Sequence, residues 1–477
     1  PLEKLDAARD AAKSAAGSPA QLNKALRQAE FVFEEITNTP GHRNPGATYG
    51  ARTILYEDCR RGVDLRVAPE LLQPIVPALS LLLKSLRWFM QSMAQEFCRL
   101  FHETHRELAA QSPERKIRLL DWWLYTEPKL LDAPSVNEIE KLFKQRWAGI
   151  LPAGSDDSVL QFESSALKKA ADELFPVPGT GYYPVRYFCP DLMLAAKDVE
   201  SIQRGELLYV LGEIHSGKNT LCHAALVEQH PDVQGLVAAT EWDLSGACFK
   251  IITPQEVETT TARTSEAALR PGDFLVATTA DSIAPSGHDS HPVGDLALQE
   301  QDRELYAVSH SSGRRFHILE AFSDVLFGFV MNKASWVQPA RHVPRVLIDK
   351  LVIHRESWRF RKDELTFALE KDEAKRFLGA RKWMATHKVP LKAFVRSASE
   401  VKPFYLDMDT PVLVEGLCRA IHQLGSPTEE ISFSEMLPTS EQLWLRDAEG
   451  NLYTSELRFA VVDIQARTWS ESQRKAR

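Results

Sequence analysis

The sequence has no long apolar run. No segment approaches the roughly 20 uninterrupted apolar residues of a membrane-spanning helix, so no membrane span is expected. Cysteines are few, six in 477 residues (Cys59, Cys98, Cys189, Cys222, Cys248 and Cys418), and none stands in a CxxC pair. That scatter argues against a zinc ribbon or a disulfide framework and reads as reduced thiols of a cytoplasmic protein, with no metal site. The chain begins at Pro1 without a signal peptide, so a fragment or processed piece lacking upstream residues is expected. There is no GxSxG elbow. His102-Glu103-Thr104-His105 misses the zinc-protease spacing, because Arg106 stands where the second histidine is needed. His288 and His291 lie in a polar stretch where solvated histidines are the simpler reading. Nothing here specifies hydrolysis.

What is present is globular. Hydrophobic residues make up 44% of the chain, enough for two or three cores. The formal charge of -8 argues mildly against a dedicated nucleic-acid binder. Leu5, Ala8, Ala12 and Ala15 recur at helical spacing, and Leu71 to Phe101 predicts a long helix interrupted near Pro74 and Pro77. Turn-rich stretches at Thr39 to Gly50, Gly154 to Asp157 and Pro176 to Gly181 punctuate the first part. Further on the period shortens. Leu207–Leu211, Phe274–Ala277, Leu305–Val308, Phe316–Ile318 and Arg345 to His354 read as strands, with a hairpin turn in Ser309–Arg315. Glu370 to His387 reads as a helix, acidic early and basic late, as its dipole favours. Phe394 to Leu406 predicts two strands around a Glu400–Lys402 turn, Pro411 to Leu424 a helix, and Gln442 to Val462 a hairpin turning at Asp447–Gly450. No internal repeat is present. The expected class is α+β: a mostly helical part over 1–150, a mixed and largely antiparallel part over 151–464, and a polar tail over 465–477.

Gly212-Glu213-Ile214-His215-Ser216-Gly217-Lys218 mimics a phosphate-binding loop. Such a loop wraps phosphates in backbone N–H groups and needs Ser or Thr directly after its lysine to ligate magnesium. Here Asn219 follows and Thr220 comes one position late, with no convincing metal-binding aspartate downstream. A strand-to-helix turn, with Gly212 and Gly217 supplying unusual dihedrals, is the preferred reading over a P-loop NTPase.

Several segments in order carry a family resemblance. Tyr49-Gly50-Ala51-Arg52-Thr53 is followed by Tyr56-Glu57-Asp58-Cys59; Leu211-Gly212-Glu213-Ile214-His215 by Asn219-Thr220 and Glu228-Gln229-His230-Pro231. Then come Thr261-Ala262-Arg263-Thr264, Arg270-Pro271-Gly272-Asp273 and Leu351-Val352-Ile353-His354-Arg355-Glu356-Ser357-Trp358-Arg359. Arg376-Phe377-Leu378, Arg381-Lys382-Trp383, Val401-Lys402-Pro403-Phe404-Tyr405-Leu406-Asp407, Ser434-Glu435-Met436-Leu437-Pro438 and Tyr453-Thr454-Ser455-Glu456-Leu457-Arg458 complete the series. Together they resemble the glutamylation region of the lantibiotic dehydratase family. Ala51 stands where the family usually has Gly, and Cys222 where it often has Arg.

The resemblance implies an enzyme with no bound cofactor that uses glutamyl-tRNA as co-substrate. A Ser or Thr hydroxyl of a ribosomally made precursor peptide attacks the glutamyl ester, on the way to a dehydroamino acid. It also implies that leader-binding and elimination portions lie outside the chain, with a separate elimination subunit as one candidate partner. Related peptide aminoacyl-tRNA ligases, which add an amino acid to a peptide C-terminus, and a non-catalytic tRNA- or partner-binding fragment are the competing readings.

The chemistry requires a proton acceptor, oxyanion donors and cations for the tRNA backbone. Arg52, Asp58, His215 and Arg355 are the catalytic candidates; Asn219, Arg263, Arg381, Lys402 and Arg458 are the candidates for tRNA or substrate binding. Each has a structural alternative. Arg52 with Glu57 and Asp58 forms an active cluster or a buried ion pair, and His215 a proton shuttle or a strand-end histidine. Glu456 and Arg458, two apart on a strand, share a face, which suits an ion pair as well as a site. Between Lys333 and Lys402, roughly 17 basic residues face roughly 8 acidic ones, a local surplus suited to phosphates or to ordinary salt bridges. Trp358, Trp383 and Trp444 are candidates for base stacking or for core packing.

Overall fold

The computed structural model describes residues 1–42, 53–55, 62–63, 65–111, 116–131, 133–151, 157–176, 185–243, 248–252, 267–280, 282, 284, 287–330, 333–400 and 402–463. The chain divides into two compact units. The smaller comprises residues 1–61, 221–241 and 250–293; the larger comprises 62–220, 242–249 and 294–477.

The first part is helical, as its periodicity predicts. α1 (Leu2–Ser14) buries Ala8 and Ala12, small residues one turn apart on one face. α2 (Pro19–Thr37) starts on Pro19, whose missing N–H has no partner to lose there. It ends at Asn38 in the left-handed conformation, φ 53°. α3 (Val76–Gln111) begins later than expected and runs ten residues past Phe101. Pro74 lies in the second of two 3-10 turns before it and Pro77 in its own first turn, so neither interrupts it. α4 (Leu119–Leu131) and α5 (Pro134–Ile150) pack on α3 through aromatic pairs, Phe101 with Trp122 at 5.1 Å and Phe89 with Phe143 at 5.0 Å between centroids. The buried Trp122 indole N–H donates to Thr104 Oγ1 at 3.0 Å, which removes the penalty of hiding it.

The mixed part follows with β1 (Val159–Phe162), α6 (Ser164–Leu174), β2 (Tyr187–Ala195), α7 (Val199–Gln203) and β3 (Leu208–Ser216). Next come α8 (Asn219–Cys222), α9 (Ala224–Val227), α10 (Val233–Asp243), β4 (Phe249–Ile252), β5 (Phe274–Ala277) and β6 (Ser290–Pro292). In the smaller unit Val227, Val237 and Ala268 form a compact apolar cluster. Arg270 and Asp273 make a buried ion pair there at 2.8 Å.

The chain continues through β7 (Leu296–Gln301), β8 (Glu304–Ser309), β9 (Arg315–His317), α11 (Ile318–Ala321) and α12 (Ser323–Val330). β10 (His342–Val343), β11 (Arg345–Ile348), β12 (Leu351–His354) and β13 (Ser357–Arg361) lead to α13 (Glu373–Thr386). Then come β14 (Lys392–Arg396), β15 (Phe404–Asp407), α14 (Pro411–Gln423) and β16 (Glu430–Glu435). β17 (Leu445–Arg446), β18 (Leu452–Tyr453), β19 (Leu457–Arg458) and β20 (Val461–Val462) end the described chain.

The larger unit contains two main sheets. A seven-stranded mixed sheet runs β1-β11-β12-β3-β2-β19, with β20 also on β2. An antiparallel five-stranded sheet runs β10-β13-β16-β14-β15. One face of the latter is covered by α13 and α14 around Phe360, Met384, Val395, Leu417 and Phe433. The α+β class is therefore the observed one. Two strand expectations change. Arg345 to His354 is a hairpin of β11 and β12, because Asp349 (φ 52°) breaks the run in a left-handed turn. Of Gln442 to Val462, only β17 and β18 pair with each other; β19 and β20 leave to pair with β2. α13 starts at Glu373 because the Asp372 side chain caps it, accepting from the Lys375 N–H. Among the described residues, no helix is long and apolar enough to cross a membrane.

Candidate functional site

The site grows out of the β2–β3 ladder. β2 is an almost wholly buried strand, yet it carries Asp191 at its centre, 4% exposed. Phe188, Cys189 and Pro190 lie opposite Ser216, His215 and Ile214, but Leu192 lies opposite Leu211. β3 therefore spends one extra residue where it passes Asp191, a β-bulge at Gly212-Glu213. Gly212 is required by closeness: a Cβ there would stand 3.3 Å from the Asp191 carbonyl oxygen.

This register sets three polar side chains on one face. His215 is opposite Cys189, and Asp191, two residues on, shares the face of Cys189. Arg458 of β19 is directly opposite Asp191 on the other side. Asp191 Oδ2 consequently lies 3.4 Å from His215 Nε2 and 3.4 Å from Arg458 Nη2. Glu456 holds Arg458 by accepting from its Nε at 2.7 Å, and the exposed Glu213 carboxylate reaches His215 Nε2 at 3.4 Å. Arg355, half-buried between β12 and β13, donates from Nε to the Leu437 carbonyl at 3.0 Å and from Nη1 to the Leu211 carbonyl at 3.5 Å. Burial lowers the Arg355 pKa, opposed by the charges of Glu435 and Glu456. Its neighbour His354 is pushed down to about 4 by burial and by the Arg355 cation, so it is neutral at physiological pH.

A cavity of about 180 Å³ opens along Gly212–Ser216, closed on other sides by Phe89 of α3 and by Trp336. His215 and Ser216 line it. Asp191 Oδ1, His215 Nδ1 and Ser216 Oγ are buried and have no hydrogen-bond partner among the described residues. Buried polar atoms without partners are costly, and here three belong to one ladder beside a cavity. A carboxylate on one ring nitrogen of an imidazole, with the other nitrogen unclaimed, can accept a proton from a substrate hydroxyl. The guanidinium groups of Arg355 and Arg458 bring positive charge to the same stretch of the sheet.

The segment that mimics a phosphate loop is a strand and a turn. Gly212 to Ser216 belong to β3, paired with β2, so their backbone is not available to wrap a phosphate. Lys218 is itself buried, at 2% exposure. The turn to α8 uses Gly217 alone, at φ 72°; Gly212 serves close packing instead of a special dihedral.

His215, Arg355 and Arg458 thus come to one region of the seven-stranded sheet, and Asn219 begins α8 just beyond it. Arg381 lies on α13, paired with Asp409 at 2.8 Å, and Lys402 lies in the β14–β15 connection; both belong to the five-stranded layer. Arg52, Asp58 and Arg263 fall outside the described residues. Asp191 is the residue that sequence reasoning missed. Its signal was a single carboxylate inside the apolar run Tyr187–Ala195. Trp358 and Trp444 are buried at 5% exposure, and Trp383 packs against Phe360 at 4.5 Å, so these rings serve the interior. Among the described residues no group of three or more His, Cys, Asp or Glu could hold a metal ion.

A family profile described as "Lantibiotic dehydratase, N terminus" matches residues 133–417. The chain belongs to that family. The matched span includes Asp191, His215 and Arg355, and stops before Arg458. Among solved structures, the glutamylation domain TbtB from thiomuracin biosynthesis is similar, with a TM-score of 0.58 at 16% identity. That likeness covers 96% of this chain and 57% of the other, so the chain spans just over half of its relative. The same domain bound to 5'-phosphodesmethylglutamycin gives a TM-score of 0.51 at 16% identity over 82% of this chain and 50% of the other. At such identities the likeness is one of fold. No curated protein sequence matches.

Proposed function

We propose that this chain carries the tRNA-dependent glutamylation step of a lantibiotic dehydratase-type enzyme. It transfers glutamate from glutamyl-tRNA to Ser or Thr of a ribosomally synthesised precursor peptide. The observation that carries the reading is the Asp191–His215 pair, with unpartnered buried polar atoms, beside Arg355 and Arg458. The family match and the name of the similar domain, a glutamylation domain, support the same chemistry.

In this reading the hydroxyl oxygen of the peptide attacks the ester carbonyl carbon, and its proton passes to His215 Nδ1. Asp191 holds the imidazole and stabilises the imidazolium. Arg355 and Arg458 face the negative charge that builds on the carbonyl oxygen. The bond from the carbonyl carbon to the tRNA ribose oxygen then breaks, and that oxygen takes the proton back from His215. Arg52 and Asp58 are the further proposed catalytic residues, and Asn219, Arg263, Arg381 and Lys402 are the proposed contacts to tRNA and peptide.

The test is to express the protein with a precursor peptide encoded beside it and weigh the peptide. Glutamyl-sized additions on Ser or Thr are expected. A single amino acid added at the peptide C-terminus, or an unchanged peptide with charged tRNA present, would contradict the proposal.

A further inference from the structure

The five-stranded sheet has one face packed on α13 and α14 and another that carries a different set of side chains. Along β14 the residues alternate: Ala393 and Val395 are buried, while Phe394 and Arg396 are exposed. Along β15, Phe404 and Leu406 turn inward and Tyr405 turns outward. Phe394 and Tyr405 are cross-strand partners on that outer face, each 39% exposed, with ring centroids 6.2 Å apart. On β16, Ser434 lies opposite Phe394 and Ser432 opposite Arg396. On β13, Ser357 and Arg359 continue the same two rows. The result is a row of two rings followed by two serines, beside a row containing Arg396, Ser432 and Arg359.

Two large rings on neighbouring strands present a paired aromatic surface on the outer sheet face. Small hydroxyl residues leave the space beside them open. One carboxylate stands at the rings, Asp407, whose Oδ2 accepts from the Tyr405 hydroxyl at 3.4 Å; beside them Arg396 makes no ion pair among the described residues, and Arg359 has only a 3.8 Å contact with the exposed Glu430. At the β13 edge, Arg341, Arg359 and Arg361 line a cleft on the same sheet, shared with Glu364 and Glu430. From β13 to β15 the face is about 14 Å wide at ordinary strand spacing. Antiparallel sheets with paired aromatic rings on an open face stack two or three unpaired bases, with cations following the backbone.

We propose that this face binds a short single-stranded RNA segment, with bases stacked on Phe394 and Tyr405 and the phosphate backbone following Arg396 and Arg359. The occupant is the unpaired 3′ end of the aminoacyl-tRNA, the one single-stranded segment that must enter this unit for acyl transfer. This identification of the RNA rests on the glutamylation reading; the stacking surface does not.

The probe is a short fluorescent single-stranded RNA ending in CCA, titrated into the full chain, with the same sequence fully paired as the comparison. Phe394→Ala and Tyr405→Ala are each expected to weaken binding about tenfold or more. Phe394→Tyr and Tyr405→Phe keep the rings and are expected to bind as the parent does. Arg396→Ala is expected to reduce the slope of log affinity against log salt by about 0.7. Equal binding by the ring-deleted variants, equal binding of paired RNA, or displacement of the RNA by the precursor peptide overturns the proposal. If the parent glutamylates the peptide while ring deletion leaves RNA binding unchanged, this surface fails and the function stands. If RNA binding depends on the rings but no glutamyl transfer occurs, the reverse holds.

Discussion

Asp191 Oδ2 stands 3.4 Å from His215 Nε2 across two antiparallel strands that are out of step by one residue. The extra residue of β3 lies at Gly212-Glu213, and β2 approaches Gly212 so closely that no side chain fits without movement. Strand register, a glycine and an acid–imidazole contact are thereby one feature.

Gly212→Ala tests that linkage. The added methyl would press on the Asp191 main chain at 3.3 Å, with its Cβ at 3.4 Å. Overpacking of this kind costs about 1–3 kcal/mol. Urea denaturation should show a loss of that order, and peptide glutamylation should fall more steeply than stability. Unchanged stability and activity would mean that the strands are looser than described.

Glu435 ties the two sheets of the larger unit together. It accepts from Arg345 Nε at 2.8 Å and from the Glu356 N–H at 2.8 Å, while a second Arg345 nitrogen binds its other oxygen. Removing one partner of a buried pair strands the other. Because about a quarter of the Arg345 side chain stays exposed, Glu435→Ala should cost about 2–3 kcal/mol, less than the fully buried limit. Chemical denaturation of Glu435→Ala beside Glu435→Gln measures it, with the glutamine variant retaining more stability.

His354 predicts a pH dependence of folding. Burial depresses its pKa to about 4 from an ordinary 6.5. Between those values the unfolded chain binds the proton and the folded chain does not, so stability falls as pH drops through this window. The contribution lost is up to about 3 kcal/mol, and it levels off below pH 4. Thermal melts from pH 7 to 4 should show the loss, and His354→Gln should flatten the profile over that range.

Local structure was legible where short-range chemistry decides it. The Ser309–Arg315 turn, the Asp447–Gly450 turn and the capped α13 each follow from residues within a few positions of one another. Sheet order was not legible, because it joins distant segments: Val159 pairs with Arg345, and Asp191 with Arg458. The same reason hid Asp191. His215, Arg355 and Arg458 could be picked out individually, but nothing near Asp191 in sequence indicates that it would meet two of them. Gly212–Ser216 reads as a loop on composition, and tertiary pairing with β2 overrides that preference. The outward rings Phe394 and Tyr405 were obscured by the three tryptophans, which are more conspicuous in the sequence and pack inward.

The most direct test of the account is single-turnover transfer from purified glutamyl-tRNA to the precursor peptide, comparing the parent with His215→Ala and Asp191→Asn. With tRNA and peptide saturating, His215→Ala should slow transfer by about 10²–10⁴-fold, and Asp191→Asn should slow it in the same direction while leaving peptide affinity unchanged. Transfer at the parental rate by a folded His215→Ala protein would contradict the account and remove the proton acceptor from it.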